Sequence, residues 1–260
     1  MKTALSIAGS DSSGGAGIQA DLKTMAAHKV FGMTVITALT AQNTLGVTAI
    51  HTPPPQFVRQ QMDAVFSDIF PDAVKIGMLA NDGIIQAVAQ GLEEYHAQNI
   101  VLDPVMISTS NHRLLEDSAQ EALIRLLLPM ATLITPNLPE ATALSGMEGI
   151  ASREDMMAAA EKIASLTPAA ILVKGGHLSG CADDLLYEAP GKYRWFSAQR
   201  VDTDNTHGTG CTLSSAIASN LALGCSLELA VANAKDYITR ALMHDPHLGH
   251  GNGPLNHTFA

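Results

Sequence analysis

Residues 5–27 read LSIAGSDSSGGAGIQADLKTMAA, and this stretch decides the fold class. Its apolar start, Leu5–Gly9, predicts a buried strand, and the pattern of Gly17–Ala27 predicts a helix. A glycine-rich loop joins the two. Outward from this unit, short β-branched or apolar runs alternate with longer helical patterns along the chain. Such alternation predicts an α/β fold with a mostly parallel sheet that is covered by helices on both faces.

The remaining elements are predicted from the same periodicities. Further strands are predicted at Thr34–Leu39, Val47–His51, Val74–Ile76, Ile100–Asp103, Leu133–Thr135 and Ala170–Lys174. Val47–His51 is expected at an edge. An antiparallel hairpin is expected from Asp184–Glu188 and Tyr193–Ser197 around Pro190-Gly191. Further helices are predicted at Pro54–Phe66, Asp82–Tyr95, Ser118–Leu127, Ser152–Leu166, Thr209–Leu223 and Leu227–Met243. No linker or repeat divides the pattern, so we predict a single domain over residues 1–260.

Composition and charge narrow the class of protein. Hydrophobic residues make up 47% of the 260 residues and charged residues 15%, which is typical of a globular chain. The formal net charge of −10 disfavours nucleic acid and anionic membranes as partners. No apolar run has the length of a membrane span, and the first residues lack the pattern of a signal peptide. The three cysteines, Cys181, Cys211 and Cys225, show no CxxC spacing, so we expect reduced thiols in the cytoplasm.

Two glycine-rich loops are the candidate ligand sites. The first, Gly9–Asp21, contains a G-x-G-x-x-A match at Gly15–Ala20, which is a dinucleotide fingerprint. The acidic residue expected about 20 positions later is missing, because no Asp or Glu occurs between Asp21 and Asp63. A dinucleotide-dependent oxidoreductase is therefore a disfavoured alternative.

The second loop, Asp204–Thr212, precedes a helix of small residues. Its glycines expose successive N–H groups at a helix N-terminus, which can stabilise a phosphoryl group in transfer. No Walker motif G-x-x-x-x-G-K-[ST] occurs in the sequence, so a P-loop kinase is not predicted.

Seven segments and the tail together resemble one family, the hydroxymethylpyrimidine/phosphomethylpyrimidine kinases of the ribokinase-like superfamily. Any one block is weak evidence, but the set in this order is specific. The matching segments are Ala8–Asp21, Thr40–Thr44, Lys75–Leu79, Val101–Met106, Thr135–Glu140, Lys174–His177, Asn205–Thr212 and the tail Gly251–Leu255.

The resemblance implies a fold and an activity. The fold is a three-layer αβα sandwich. The activity is transfer of the ATP γ-phosphoryl group to the hydroxymethyl of an aminopyrimidine, and then to its monophosphate, for thiamine biosynthesis. Mg²⁺ as cofactor and a homodimer are also implied.

On the substrate side, the resemblance implies that Gln42 binds the pyrimidine, from a loop after a strand. A carboxamide carries an acceptor and a donor pair, which complement the amino group and ring nitrogen of an aminopyrimidine. Asp21 would accept a hydrogen bond from the substrate side, although a solvated first-turn acid is the alternative. The residues implied to surround the ring are Gly9, Ala16, Met78 and Val105.

For phosphoryl transfer, the resemblance implies Cys211 as proton acceptor, with Gly208 and Gly210 in the anion-binding turn. A helix N-terminus can lower a thiol pKa, which would favour this role; a small buried apolar residue is the alternative. Glu140 would organise water around Mg²⁺, with Asp103 as a second candidate; alternatively Glu140 is only a helix-start carboxylate. The resemblance also implies that the ATP phosphates contact Asn137, Lys174, Thr206 and His207.

The activity and the position of the lid stay open. Pyridoxal kinase activity, alone or together with the pyrimidine activity, is the nearest alternative function, and a non-catalytic nucleotide-binding protein is another. Ile107–Arg113 and Ser179–Asp183 are candidate lids, because they are polar or small.

Overall fold

The computed structural model describes residues 1–106, 117–176, 182–244 and 246–259. Its strands are β1 Thr3–Asp11, β2 Phe31–Asn43, β3 Gly46–His51, β4 Ala73–Ile76, β5 Ile100–Leu102, β6 Leu133–Ile134, β7 Ala170–Lys174, β8 Asp184–Ala189 and β9 Lys192–Phe196. Its helices are α1 Gly17–Ala27, α2 Pro55–Phe66, α3 Asp82–Glu94, α4 Asp117–Ala122, α5 Leu138–Ser145, α6 Arg153–Ala164, α7 Thr209–Ala222 and α8 Leu227–Leu242.

The nine strands of the described residues form one sheet in the order β3-β2-β1-β4-β5-β6-β7-β8-β9. The six neighbours from β2 to β7 are parallel, while β3, β8 and β9 pair in antiparallel fashion. Strand order reverses beside β1, which has β2 on one side and β4 on the other. Ligands of such folds bind beyond the carboxyl ends of the strands at this reversal.

Two apolar layers cover the sheet, because successive residues of a strand face opposite sides. In β1, Leu5 and Ile7 belong to the core that includes residues of α2, α3 and α6. Ala4 belongs to the opposite core, with residues of α1, α7 and α8. The predicted three-layer αβα sandwich is therefore confirmed. Among the described residues, no helix combines the length and apolar character that a membrane crossing needs.

Most predicted elements are confirmed within a few residues, and two differences affect the site. Strand β2 continues to Asn43, because pairing with the edge strand β3 extends it. Gln42 therefore lies in the strand, beside an irregularity of the β2–β3 ladder, and not on a loop. Helix α5 was not predicted. Pro136 and Pro139 suggest a loop, but Pro139 occupies the first turn of the helix, where a missing N–H carries no penalty.

The candidate lid Ile107–Arg113 lies outside the described residues. So do Cys181, His177 and most of the second candidate lid, Ser179–Asp183.

Candidate active site

Asp11, at the end of β1, organises the first glycine-rich loop. Its carboxylate accepts hydrogen bonds from the backbone N–H groups of Ser13, Gly15 and Ala16 at 2.8–3.1 Å, and from the Ser13 hydroxyl. Nε2 of His207 lies 2.8 Å from the same carboxylate. Burial raises the pKa of Asp11, but these hydrogen bonds outweigh it and bring the pKa down to about 2. Asp11 is thus an ionised, fixed centre of the loop.

The second glycine-rich loop packs tightly against the first. Gly208 has a φ of +83°, and a Cβ atom there would lie 2.0 Å from the carbonyl oxygen of Gly15. On its other side, the N–H of His207 donates to the carbonyl of Gly253 in the C-terminal tail at 3.1 Å. Only a glycine satisfies both the backbone conformation and this close approach at position 208.

His207 and Thr206, which are both predicted to contact ATP phosphates, differ in their exposure. The imidazole of His207 is buried and bound to Asp11, so its observed role is to join the two loops. Thr206 is exposed, and its carbonyl accepts from the N–H and the hydroxyl of Thr209. Of the two residues, only Thr206 is exposed for contact with a ligand in this arrangement.

The N-terminus of α7 follows directly and contains Cys211. Its N-cap, Gly208, provides no side-chain hydrogen bond, and the N–H of Thr209 donates to Thr206, so the N–H groups of Gly210 and Cys211 are left for an anion. Although Cys211 is only partly buried, desolvation by the surrounding protein raises its pKa to about 11. The charge of Lys75 and the N–H of Gly17 act in the opposite direction and are weaker. The expectation that the helix N-terminus lowers this pKa is therefore wrong, because desolvation dominates.

A charged cluster lies against the same helix start. Nζ of Lys174, at the end of β7, is 2.7 Å from Oδ1 of Asp103, just after β5. Asp103 also accepts from the hydroxyls of Thr135 and Ser214. A Cβ atom on Gly210 would lie 3.3 Å from Nζ of Lys174 and 3.4 Å from Oδ2 of Asp103. The glycine thus lets the first turn of α7 approach both charges.

Asn137 and Glu140 form a reciprocal capping box at the start of α5. The Asn137 side chain accepts from the N–H of Glu140 at 2.8 Å, and Oε2 of Glu140 accepts from the N–H of Asn137 at 2.9 Å. The alternative interpretation of Glu140 as a helix-start carboxylate is confirmed. Glu140 is also only 4% exposed, and burial, with Asp103 nearby, raises its pKa to about 7 despite the charge of Lys174.

The chemistry of this cluster fits a divalent cation that keeps most of its own water. Asp103 and Glu140 are two buried carboxylates near one ammonium, Lys174, so the cluster has an excess of negative charge when both carboxylates are ionised. Mg²⁺ takes one or two carboxylates and completes its shell with water and substrate phosphates. In the described parts of the chain, no three His, Cys, Asp or Glu side chains gather to hold an ion unaided. Indirect contacts, as predicted, suit this donor set.

Apolar residues predicted to surround a ring gather at the ends of β1 and β4. A Cβ atom on Gly9 would lie 3.1 Å from Sδ of Met78, and Met78 packs with Ala38 and Ala80. Val105 is half-buried just after β5, and Ala16 is half-buried at the N-cap of α1. These positions all lie at the carboxyl edge of the sheet.

Gln42 lies next to the junction of the two loops. Its Oε1 accepts from the Thr40 hydroxyl at 2.9 Å, and its Nε2 is 3.4 Å from Nε2 of His207. Gln42 is half-buried, so part of the residue remains exposed. The amide is therefore held near Asp11 and His207, at the carboxyl edge of the sheet.

Asp21 differs from its predicted role. Its side chain has 0% exposure, and the carboxylate accepts from Ser6, from Ser215 and twice from Nζ of Lys75, at 2.5–2.9 Å. Four hydrogen bonds leave it no room for a ligand, and it is not a solvated first-turn acid either. Sequence reasoning missed Lys75 as a site residue, although a lysine inside the apolar strand AVKI is an unusual signal.

A groove elsewhere contains none of these residues. It has a volume of about 540 Å³, lies between β9 and α8, and is lined by side chains that include Trp195, Lys235 and Thr239. The convergence of loops at the carboxyl edge, and not this groove, marks the candidate site.

Comparison with known proteins agrees with this geometry. A model of the phosphomethylpyrimidine kinase family matches residues 11–256. The hydroxymethylpyrimidine/phosphomethylpyrimidine kinase of Salmonella typhimurium is 48% identical over 260 residues, covering 99% of this chain and 97% of that protein. The thiamine biosynthesis bifunctional protein ThiED of Geobacter sulfurreducens is 49% identical over 98% of this chain, which spans 52% of the length of that protein.

A solved structure shows the same fold over nearly the whole of both chains. The ADP complex of Bacillus subtilis pyridoxal kinase superposes with a TM-score of 0.91 at 38% identity, over 99% of this chain and 98% of that chain. The matches run through both glycine-rich loops and leave no support for the oxidoreductase alternative. The chain belongs to the phosphomethylpyrimidine kinase family, as its motifs predict.

Proposed function

We propose that this kinase transfers the γ-phosphoryl group of ATP to the hydroxymethyl group of 4-amino-5-hydroxymethyl-2-methylpyrimidine. A second transfer to the monophosphate then produces the diphosphate used in thiamine biosynthesis. The observation that carries the proposal is the start of α7, where uncapped N–H groups, Lys174 and Cys211 converge. The names of the relatives supply the substrate class.

Charge stabilisation is the main contribution of the proposed phosphate site. Phosphoryl transfer needs little covalent help from a protein, and positioning with electrostatic stabilisation accounts for most of the catalysis. The first-turn N–H groups of α7, with Gly208 and Gly210, would bind the transferring oxygens. The ammonium of Lys174 would neutralise further negative charge, and Asn137 and Thr206 would approach ATP from neighbouring loops.

We assign Mg²⁺ to the side of Asp103 and Glu140. When bound, the ion would neutralise ATP phosphate charge. The Glu140 carboxylate, whose pKa burial raises to about 7, would be held ionised by a nearby cation. Asp103 would keep Lys174 in place while it faces the ion's water shell.

The pyrimidine would bind between the apolar residues and Gln42. Met78, Val105, Gly9 and Ala16 offer apolar or small surfaces to the ring faces. The Gln42 amide offers a donor and an acceptor along one edge, which match an exocyclic amino group next to a ring nitrogen. A small set of polar groups in an otherwise apolar pocket is typical of small-molecule sites.

Pyridoxal kinase activity is the second candidate, because the superposition with a pyridoxal kinase covers 99% of this chain. The deciding experiment compares both alcohols with Mg-ATP and analyses the products for mono- and diphosphate. We expect the aminopyrimidine to give both products with the higher kcat/KM. A preference for pyridoxal of about 100-fold, which one well-placed polar contact can produce, would overturn the substrate assignment.

Cys211 can be tested against the other described free cysteine, Cys225. We expect Cys211→Ala to lower kcat by about 100-fold, the scale of a proton-transfer group, with little change in ATP affinity. The matched control, Cys225→Ala, should keep normal turnover. Wild-type turnover in Cys211→Ala would remove the thiol from the mechanism.

Three further properties are part of the proposal. The single sheet that runs from Thr3 to Phe196 supports one catalytic domain over residues 1–260. The free thiols of Cys211 and Cys225 fit a reducing cytoplasm. A homodimer, which the family resemblance implies, would be tested by analytical ultracentrifugation.

A further inference from the structure

A second buried lysine–aspartate pair packs beside α7, next to the face that contacts Asp103. Lys75 and Asp21 are both 0% exposed, and Nζ of Lys75 is 2.9 Å from each carboxylate oxygen of Asp21. Such a pair is weak evidence for stability, because apolar residues of similar volume often replace buried ion pairs without loss. Its place in the fold therefore points to another role.

The geometry puts this pair against the face of α7 that contains Cys211. Ser215, whose hydroxyl is 2.6 Å from Oδ1 of Asp21, follows Cys211 by four residues on α7. Residues at this spacing share one helix face, about 6 Å apart. The ammonium of Lys75 also lies beside the carboxyl end of β4, because a Cβ atom on Gly77 would come within 2.9 Å of it.

The other groups around the thiol belong to different elements. The N–H of Gly17, at the start of α1, lies near Cys211. The charged groups that act on the thiol are Lys75 from β4, Asp21 from α1, Asp103 after β5 and Lys174 from β7. The two carboxylates oppose a thiolate, and the two ammonium groups favour it.

We propose that Lys75 is a positioning residue for phosphoryl transfer: its buried ammonium, fixed by Asp21, keeps a positive charge near the Cys211 sulfur. This inference rests on the proposed function. In that reaction the thiol first loses its proton to water. The thiolate then takes the proton of the substrate hydroxyl as its oxygen bonds to the γ-phosphorus and the bond to the β-phosphate oxygen breaks, releasing ADP. Lys75 stabilises the thiolate at the start of this step and contacts neither substrate.

The test separates this role from simple pairing with Asp21. The double variant Lys75→Met/Asp21→Asn removes both charges, and Asp21→Asn removes only the negative one, so the difference between the two variants isolates the charge of Lys75. Both are made in a Cys181→Ala/Cys225→Ala background, where Cys211 is the sole cysteine of the sequence. Three measurements follow: the urea unfolding midpoint, the pH profile of Cys211 alkylation by iodoacetamide without substrates, and kcat with the aminopyrimidine and ATP.

We expect both variants to fold, the alkylation profile of the double variant to lie about one pH unit above that of Asp21→Asn, and its kcat to be about tenfold lower, with the KM for ATP little changed. The matched control, Lys2→Met/Asp72→Asn, removes a Lys–Asp pair that is remote from the site and should change neither profile nor kcat. If the first double variant does not fold, Lys75→Gln/Asp21→Asn, in which two amides replace the ion pair, carries the same comparison.

Equal alkylation profiles in the folded double variant and in Asp21→Asn would overturn the proposal, because the charge of Lys75 would then not act on the thiol. The alkylation measurement needs no substrate. It therefore stays informative if the wild-type enzyme does not phosphorylate the pyrimidine, a result that would count against the proposed function and not against the Lys75–Cys211 coupling.

Discussion

Replacing Asp11 with asparagine tests whether one carboxylate holds the two glycine-rich loops together. Asparagine has nearly the same shape but no charge, and its amide NH₂ would face N–H donors of the loop in place of an acceptor oxygen. In the wild-type protein this carboxylate accepts from Ser13, Gly15 and Ala16 and contacts His207. The substitution therefore weakens the loop and its link to the start of α7.

The magnitude follows from the pKa of Asp11, which falls from 3.8 to about 2 in the folded protein. At 1.36 kcal/mol per unit, ionised Asp11 contributes about 2.5 kcal/mol to the free energy of unfolding at pH 7. Because the folded-state pKa is the lower one, this contribution is complete above about pH 4 and decreases as the pH falls towards 2. About half of it remains at pH 3.

The assay is urea unfolding of wild type and Asp11→Asn at several pH values between 3 and 7. The difference between the two proteins isolates Asp11 from the other carboxylates. We expect a difference of about 2.5 kcal/mol at pH 7 that shrinks by about half at pH 3. A difference below about 0.5 kcal/mol at pH 7, or one that does not depend on pH, would refute the reasoning.

Two further predictions concern other points of the site. Gly208→Ala should lower the free energy of unfolding by at least about 2 kcal/mol and reduce kcat. Position 208 combines a φ of +83° with a distance of 2.0 Å from the added Cβ atom to the carbonyl oxygen of Gly15. The control Gly146→Ala has a φ of +64° with open space around it, so it should cost only about 1 kcal/mol; equal losses in urea unfolding would contradict the packing argument. Glu140→Gln should raise the urea midpoint at pH 8 without Mg²⁺. The folded-state pKa of Glu140 is about 7, above the usual 4.5, so ionisation of Glu140 destabilises the fold as the pH rises between those values. The gain should vanish below about pH 4.5, and a less stable variant at pH 8 would contradict it.

Local patterns predicted much of the fold because they depend on neighbours in sequence. Helix α1 begins and ends where its periodicity predicts, and Ser152 caps α6 with Asp155 as the third residue of a capping box. The pairing of Asn137 with Glu140 also spans three residues, so the capping alternative was readable in advance. Strand β2 was predicted too short, because its extension depends on pairing with β3.

Contacts between distant residues were not predictable from one sequence. Asp11 meets His207 across 196 positions, and Lys75 meets Asp21 across 54. No local pattern distinguishes a carboxylate that binds a ligand from one that four buried donors already satisfy. For this reason Asp21 was assigned to the substrate and Lys75 was overlooked.

The sequence alone determined the alternation of strands and helices, the two glycine-rich loops and the family, because these depend on periodicity and on motifs of adjacent residues. The tertiary structure decided the electrostatic state of the site. Desolvation depends on everything packed around a group, so only the folded arrangement could reveal a Cys211 pKa of about 11 and a Glu140 pKa of about 7.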